Sequence, residues 1–141
     1  MKQGENAGTY YFDPIRGTAY TGHRQIGANW YYFDAEGRRQ TGYIEDADGT
    51  WYYFNTKGVA QTGWKKVPGT EGWKFFDPES EIPGAEQEYS RTEQTAGKTV
   101  YVWYQVDTVR YCFKNDTTLL KNKQKIDGKT YWFHKTTGVL Y

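Results

Sequence analysis

The stretch that decides the fold is Trp51-Tyr52-Tyr53-Phe54-Asn55-Thr56-Lys57-Gly58. Its run of aromatic residues has a high propensity for β-strand. The Asn and Gly that follow are typical of a type I turn ending in a left-handed residue, which is a common connection in β-hairpins. A second short strand is expected after the turn, as at residues 38–41 of the equivalent stretch before it. The stretch therefore predicts a β-hairpin.

The same word returns along the chain at a nearly constant spacing. Its Phe occurs at Phe12, Phe33 and Phe54 in steps of 21, and Phe76 follows after 22 residues. Between these words lies a second word, Thr-Gly followed by a ring, at residues 21–23, 41–43 and 62–64. Because an isolated hairpin is only marginally stable in water, the repeats are expected to stack around a shared aromatic seam. The fold prediction is all-β, an elongated β-hairpin solenoid of aromatic repeats about 20–21 residues long.

Three regions are predicted along the chain. Residues 1–77 carry the regular hairpin repeats, and residues 109–141 carry degenerate ones. Residues 78–108 are interpreted as an irregular insertion, with a polar loop reaching Gly97 and a longer period-2 strand at Thr99–Val106. That strand is expected to form a hairpin with residues 109–113. No segment has helical periodicity with helix caps.

Composition favours an aromatic core and balanced electrostatics. Aromatic residues make up 19% of the 141 residues, and the formal net charge is only +1. Such a charge gives no global steering toward nucleic acid or an anionic membrane. No apolar run approaches the roughly 20 residues of a membrane span, so no membrane insertion is expected. The single cysteine, Cys112, is expected to fill the core.

Catalytic chemistry has little support in the sequence. His23 and His134 have no partners at metal-ligand spacing, so no metal site is predicted. Glu79 and Glu81 lie among prolines with no implied pocket. No nucleophile motif or phosphate loop is present. The chain is predicted not to be an enzyme and to need no cofactor. Lysines interleaved with aromatic residues at 110–135 could bind nucleic acid, but solvated loops explain them more simply and no nucleic-acid partner is expected.

The words at 51–58 and at Thr62-Gly63-Trp64-Lys65-Lys66 resemble the cell-wall-binding repeats of bacterial surface proteins. That superfamily includes the choline-binding repeats of Gram-positive wall hydrolases, the glucan-binding repeats of glucansucrases and the repeat tails of large clostridial toxins. The resemblance is specific over residues 8–77, weak over 109–141 and absent over 78–108. It implies a secreted or cell-surface hairpin solenoid that binds ligands between consecutive hairpins, while a separate domain does the chemistry.

The resemblance also implies candidate ligand-binding residues. In choline-binding members, a cage is formed by the ring after Thr-Gly, the Trp that opens the next aromatic run and a ring of the following hairpin. The three cages implied here consist of Tyr43, Trp51 and Phe75; of Trp64 and Trp73; and of His23, Trp30 and Tyr53. Ring faces attract a quaternary ammonium by cation–π interaction. The same rings could instead stack on sugars, with hydroxyls bonded by Gln40, Gln61, Asn29 and Asp46.

Two classes of function remain open. One is a non-catalytic module that targets a surface protein to choline-bearing teichoic acid or to a glycan polymer, such as an α-glucan or a host glycan. The other is a protein-interaction or structural stalk. His23 and Tyr43 stand where choline binders usually have Trp, which weakens the choline interpretation. The oligomeric state is not predicted.

The break in the repeat predicts where the sites lie. The spacing from Phe76 to Phe113 jumps to 37 residues, and the word Thr-Gly-ring does not recur after Trp64. A cage built from two consecutive hairpins needs a constant offset between them. Binding sites are therefore expected only in the N-terminal half, and the rings of the C-terminal part are expected to serve packing and capping.

Overall fold

The computed structural model describes residues 19–141, so the predicted repeat around Phe12 lies outside the described residues. Every regular element in this part of the chain is a β-strand, which confirms the all-β prediction. No helix among these residues could cross a membrane. The chain divides between Gln87 and Glu88 into two compact units, called unit 1 and unit 2 below.

Unit 1 contains three successive hairpins in one common register. Its strands are β1 (Gly22–Ile26), β2 (Asn29–Phe33), β3 (Gly42–Glu45), β4 (Trp51–Phe54), β5 (Gly63–Lys65), β6 (Lys74–Asp77) and β7 (Ala85–Gln87). They form the antiparallel sheets β1–β2, β3–β4 and β5–β6–β7. In each hairpin a Gly lies opposite the Phe of the aromatic run, as Gly42 lies opposite Phe54.

The hairpin begins one strand earlier than the sequence predicted. The aromatic runs at 30–33 and 51–54 pair with the strand before them, whereas the strand expected after each turn is reduced to one bridge, such as Phe54 with Ala60. The reason lies in the backbone donors after the turn. The Gln61 N–H donates to Tyr53 of its own hairpin, but the Ala60 N–H donates to Trp30 of the preceding hairpin at 2.8 Å. The chain after the turn therefore connects two hairpins instead of extending one.

The turns themselves follow the predicted chemistry. Asn55 Oδ1 accepts hydrogen bonds from the N–H groups of Lys57 and Val59 at 2.9 and 3.0 Å. Gly58 closes the turn with φ at 81°, a left-handed conformation that glycine adopts without steric cost. Asp34 and Gly37 repeat this arrangement one hairpin earlier.

The core of unit 1 is a small aromatic cluster. Phe54 is 1% exposed and packs with Tyr52 and Ala85. Four partly buried side chains surround this cluster: Tyr32, Ile44, Ala60 and Ile82. Because these residues come from all three hairpins, the core is the seam that joins the repeats.

Unit 2 contains β8 (Ser90–Ala96), β9 (Thr99–Val106), β10 (Val109–Lys114), β11 (Thr118–Leu119), β12 (Asn122–Ile126) and β13 (Lys129–Phe133). The first four form one sheet in the order β11–β10–β9–β8, and β12 pairs with β13. The predicted hairpin across residues 107–108 is present as β9 and β10. Residues 90–106 of the predicted insertion thus share one sheet with residues 109–119 of the predicted C-terminal region.

The polar tract before Gly97 differs from its prediction, since Ser90–Ala96 is a strand and not a loop. It lies at the edge of its sheet and is mostly exposed, so its side chains show no apolar alternation. Its backbone pairs with β9 over the whole strand. The partner strand, rather than the strand's own pattern, stabilises the extended conformation.

The pairing pattern of the unit 1 hairpins recurs within unit 2, although the repeated sequence motifs are absent there. Asn122 lies opposite Phe133 with φ at 66°, in the place that a Gly takes in unit 1. Asn is among the few non-glycine residues that tolerate this conformation. The backbone bond between hairpins also recurs, because the Leu140 N–H donates to Arg110 at 2.9 Å. Cys112 is fully buried, as expected of a core residue, and burial raises the pKa of its thiol to about 12.

Candidate functional site

The aromatic face of the hairpin β3–β4 carries the best-formed part of the predicted site. Tyr43 lies opposite Tyr53, and Trp51 lies two register positions away on the same face. The rings of Tyr43 and Trp51 stack with centroids 4.4 Å apart and planes 29° apart. The structure thus brings together these two predicted residues, and Trp51 remains partly exposed.

The third member of this predicted cage lies elsewhere. Phe75 is 8% exposed and packs on Trp64, with ring centroids 5.1 Å apart. Lys74 takes its place, with Nζ 5.2 Å from the centroid of the Tyr43 ring. Because neighbouring residues of a strand face opposite sides, a shift of one residue exchanges a ring for an ammonium.

His23 shows the same shift of one residue. Its ring contacts Tyr32 and Tyr52 at centroid distances of 4.6 and 4.4 Å. The predicted third wall, Tyr53, faces the next hairpin instead and lies 6.0 Å from Phe76. Trp30, the other predicted wall, is partly exposed on the same face as His23. The direct contact of His23 with Tyr52 leaves no room for a ligand between these two rings.

The last hairpin of unit 1 carries the remaining predicted pair, Trp64 and Trp73. Both are partly exposed. Lys66 places its Nζ 5.1 Å from the centroid of the Trp73 ring. As at Tyr43, a cation of the chain itself stands over a ring to which the resemblance assigns a ligand cation.

Glu86 of β7 anchors the ammonium at Tyr43. The Tyr43 hydroxyl donates to Oε1 of Glu86, and Lys74 Nζ lies 3.6 Å from its Oε2. The side chains of Lys74 and Glu86 are only 20% and 23% exposed. Burial, and after it the hydrogen bond and negative charge of Glu86, raise the pKa of Tyr43. The phenol therefore stays protonated and donates to Glu86.

A second polar interaction, between His23 and Asp46, joins the first two hairpins. His23 Nε2 donates to Asp46 Oδ2 at 2.9 Å, between side chains that are 10% and 6% exposed. Asp46 Oδ1 also accepts from the N–H groups of Asp48 and Thr50. Burial alone would raise the pKa of Asp46, but these hydrogen bonds lower it below its ordinary value. Asp46 is thus a carboxylate at neutral pH, already engaged within the protein.

This interaction predicts a loss of stability in acid. Asp46→Ala is expected to lower the free energy of unfolding of unit 1 by about 2–3 kcal/mol at neutral pH, because a buried charged acceptor is removed. Since the folded-state pKa lies below the ordinary 3.8, the stabilisation is complete above 3.8 and is lost as the pH falls through the lowered value. Denaturant titrations of both proteins from neutral to strongly acid pH measure this difference.

The control is Asp48→Ala, which removes an exposed carboxylate from the same turn. It should change stability by less than about 0.5 kcal/mol at any pH. A deficit of Asp46→Ala that is as large in strong acid as at neutral pH would contradict the assignment.

Other predicted polar groups are also used internally. Gln40 Nε2 donates to Asp34 and to the Arg38 carbonyl, and Gln61 Nε2 donates to the Val59 carbonyl. Within residues 19–141, no group of three or more His, Cys, Asp or Glu side chains is arranged to hold a metal ion.

Sequence reasoning missed three residues that lie where consecutive hairpins meet. Tyr52 lies at the junction of β1–β2 with β3–β4, and Lys74 and Glu86 lie at the junction of β3–β4 with β5–β6–β7. A signal for Lys74 was present in the sequence. Tyr occupies the second position of the words at 30–33 and 51–54, and Lys occupies it in the word at 73–76. Glu86 had no comparable signal, because β7 approaches the junction only after the long turn at 78–84.

Residues 20–57 and 44–82 match the family model of the choline-binding repeat, which confirms the resemblance over this part of the chain. All of the matched residues lie in unit 1. A search of curated proteins found no match.

Solved structures of choline-binding proteins are similar to this chain. Choline binding protein F from Streptococcus pneumoniae is 26% identical, with a TM-score of 0.52 over 97% of this chain and 50% of that chain. CbpJ from Streptococcus pneumoniae is 23% identical, with a TM-score of 0.48 over 94% and 56%. The pneumococcal cell wall endolysin from phage Cp-1, complexed with choline, is 22% identical, with a TM-score of 0.43 over 86% and 40%. The chain thus spans about half the length of these proteins.

Proposed function

Starting from the choline-binding repeats matched over residues 20–82, we propose that unit 1 is a non-catalytic module that attaches a secreted or surface protein to an extracellular polymer. The polymer is a glycan or choline-bearing teichoic acid. The observation that carries this proposal is the stack of Tyr43 on Trp51, which keeps a large ring partly exposed at a junction of two hairpins. Such a ring is a binding surface that a hairpin core does not need.

Lys74 favours a sugar over choline at this junction. Its ammonium stands over the Tyr43 ring, where the family resemblance places the ligand cation. A second cation on the same ring face would meet a like charge and lose the ring contact. A neutral sugar meets no such repulsion.

The surroundings of Trp51 suit a pyranose. The indole offers a flat apolar surface, and Glu45 lies directly opposite it across the strand pair. A carboxylate at that position can accept hydrogen bonds from sugar hydroxyls. Lys74 can donate to a sugar oxygen from the neighbouring hairpin. This combination of one ring with a few polar groups is typical of small-ligand sites.

A structural stalk is the second candidate function. Each junction between hairpins is already held by a hydrogen bond within the protein, His23 with Asp46 and Tyr43 with Glu86. Hydrogen bonds of this kind stiffen an array of repeats without any ligand. A stalk predicts no response of the aromatic rings to soluble ligands, whereas a binding module predicts saturable changes at Trp51.

The deciding experiment titrates intrinsic Trp fluorescence with isomalto-oligosaccharides and, separately, with choline. The parent chain is expected to respond to the oligosaccharides. Trp51→Ala should weaken that binding about tenfold, which corresponds to about 1.4 kcal/mol for the stacking of one sugar on the indole. The matched control is Trp132→Ala, which removes an exposed Trp of unit 2 and should leave this affinity unchanged.

Two results would overturn the proposal. If the Trp fluorescence of the parent chain changes with neither ligand, the stalk is favoured. Equal losses in Trp51→Ala and Trp132→Ala, with both variants folded by circular dichroism, would remove the site from unit 1.

A further inference from the structure

The hairpin β12–β13 has two contrasting faces. Ile126 and Phe133 are buried in the core of unit 2, and Tyr131 packs against that core. Directly opposed residues share a face, so the other face carries the cross-strand pairs Lys123 with Trp132 and Lys125 with Thr130. All four of these residues are exposed. We call them the basic platform.

Trp132 is the feature of this platform that packing does not explain. It is 55% exposed, although the ring was expected to serve packing and capping. Lys123 Nζ lies 5.3 Å from the centroid of its ring. An indole held open beside an ammonium offers a flat apolar surface next to a positive charge.

The charges around the platform are almost all of one sign. Residues 118–141 contain five lysines and one acid, Asp127. Three lysines flank the platform residues along the chain: Lys121, Lys129 and Lys135. Within the described part of the chain, none of the five forms an ion pair with a carboxylate. The positive charge is thus available to an external partner.

We propose that the basic platform binds an acidic polysaccharide, with a sugar ring stacked on Trp132 and its phosphate or carboxylate groups paired with Lys123 and Lys125. The two lysines are two residues apart on one strand, about 7 Å, so they can contact successive charged groups of an extended polymer. Nucleic acid fits less well, because single-strand binding uses a row of stacking rings and the platform has one. This site is separate from the junction in unit 1 and stands without it.

The test uses the whole chain and four probes: a phosphomannan, polygalacturonate, dextran and a single-stranded oligonucleotide. Binding is followed by calorimetry at low and high salt. We expect binding to one of the two acidic polymers, weakened by salt because exposed charges are screened. The acidic polymer that binds identifies the phosphate or the carboxylate as the partner group.

Two platform variants locate the site. Lys123→Gln with Lys125→Gln, and separately Trp132→Ala, should each weaken acidic-polymer binding about tenfold. The matched control, Lys57→Gln with Lys98→Gln, removes two exposed lysines from turns elsewhere and should leave it unchanged. Trp51→Ala should also leave it unchanged, which distinguishes this proposal from the one for unit 1.

Three outcomes would overturn the proposal. The parent chain binds neither acidic polymer; the control pair loses as much affinity as the platform pair; or the oligonucleotide binds more tightly than both acidic polymers with the same dependence on Lys123 and Lys125. Failure of the unit 1 proposal would appear separately, as unchanged isomalto-oligosaccharide and choline titrations in Trp51→Ala.

Discussion

Lys74→Tyr is expected to produce a choline site at the junction of β3–β4 with β5–β6. The substitution removes the ammonium that lies over Tyr43 and places a third ring beside Tyr43 and Trp51. The preceding hairpin has Tyr52 at this position, so the backbone already accepts the residue. His23 is bonded to Asp46 and packs on Tyr52, whereas Tyr43 is stacked on Trp51, so the new ring is expected to leave space for a ligand beside that stack. Two or three ring contacts should give a dissociation constant of about a millimolar, at least roughly tenfold tighter than in the parent chain. Fluorescence titration with choline measures the gain.

Two further variants separate the charge from the ring. Lys74→Met keeps the apolar stem without the charge and should bind choline more weakly than Lys74→Tyr. Lys57→Tyr adds a ring to an exposed turn and should bind no better than the parent. If the parent chain and Lys74→Tyr bind choline equally, the ammonium does not select the ligand at this junction.

Phe54→Ala is expected to cost unit 1 about 3–5 kcal/mol of unfolding free energy, the range for removing a buried aromatic ring. Phe54 is 1% exposed and contacts rings of its own and of the preceding hairpin. Because each repeat is stabilised mainly by its neighbours, the loss should affect the array and not one hairpin alone. Denaturant unfolding followed by Trp fluorescence gives the value.

Thr56→Ala is the control for this prediction. Thr56 is exposed in the turn of the same hairpin, and its loss should change stability by less than about 0.5 kcal/mol. A comparable loss in both variants would mean that the turn, and not the aromatic seam, limits the stability of unit 1.

The regular repeat, the strand content and the turn chemistry were all predictable from sequence. Each depends on short-range physics: aromatic runs favour strands, an Asn or Asp side chain caps the backbone of its own turn, and Gly accepts a left-handed φ. The pairing of Tyr43 with Trp51 was predictable for the same reason, because both residues belong to one hairpin. The choice of the paired strand was not, because Ala60 bonds to a hairpin that is distant in sequence.

The tertiary structure alone decided what completes each site. The side of a strand that meets the next hairpin reverses with a shift of one residue, so that Lys74 and not Phe75 lies over Tyr43. Glu86 reaches the same junction through the third strand of its sheet. In unit 2, Asn122 keeps the register that Gly keeps elsewhere, and one consequence is that Trp132 faces solvent. These outcomes depend on how one hairpin packs against another. A repeated sequence motif does not specify the offset between consecutive hairpins.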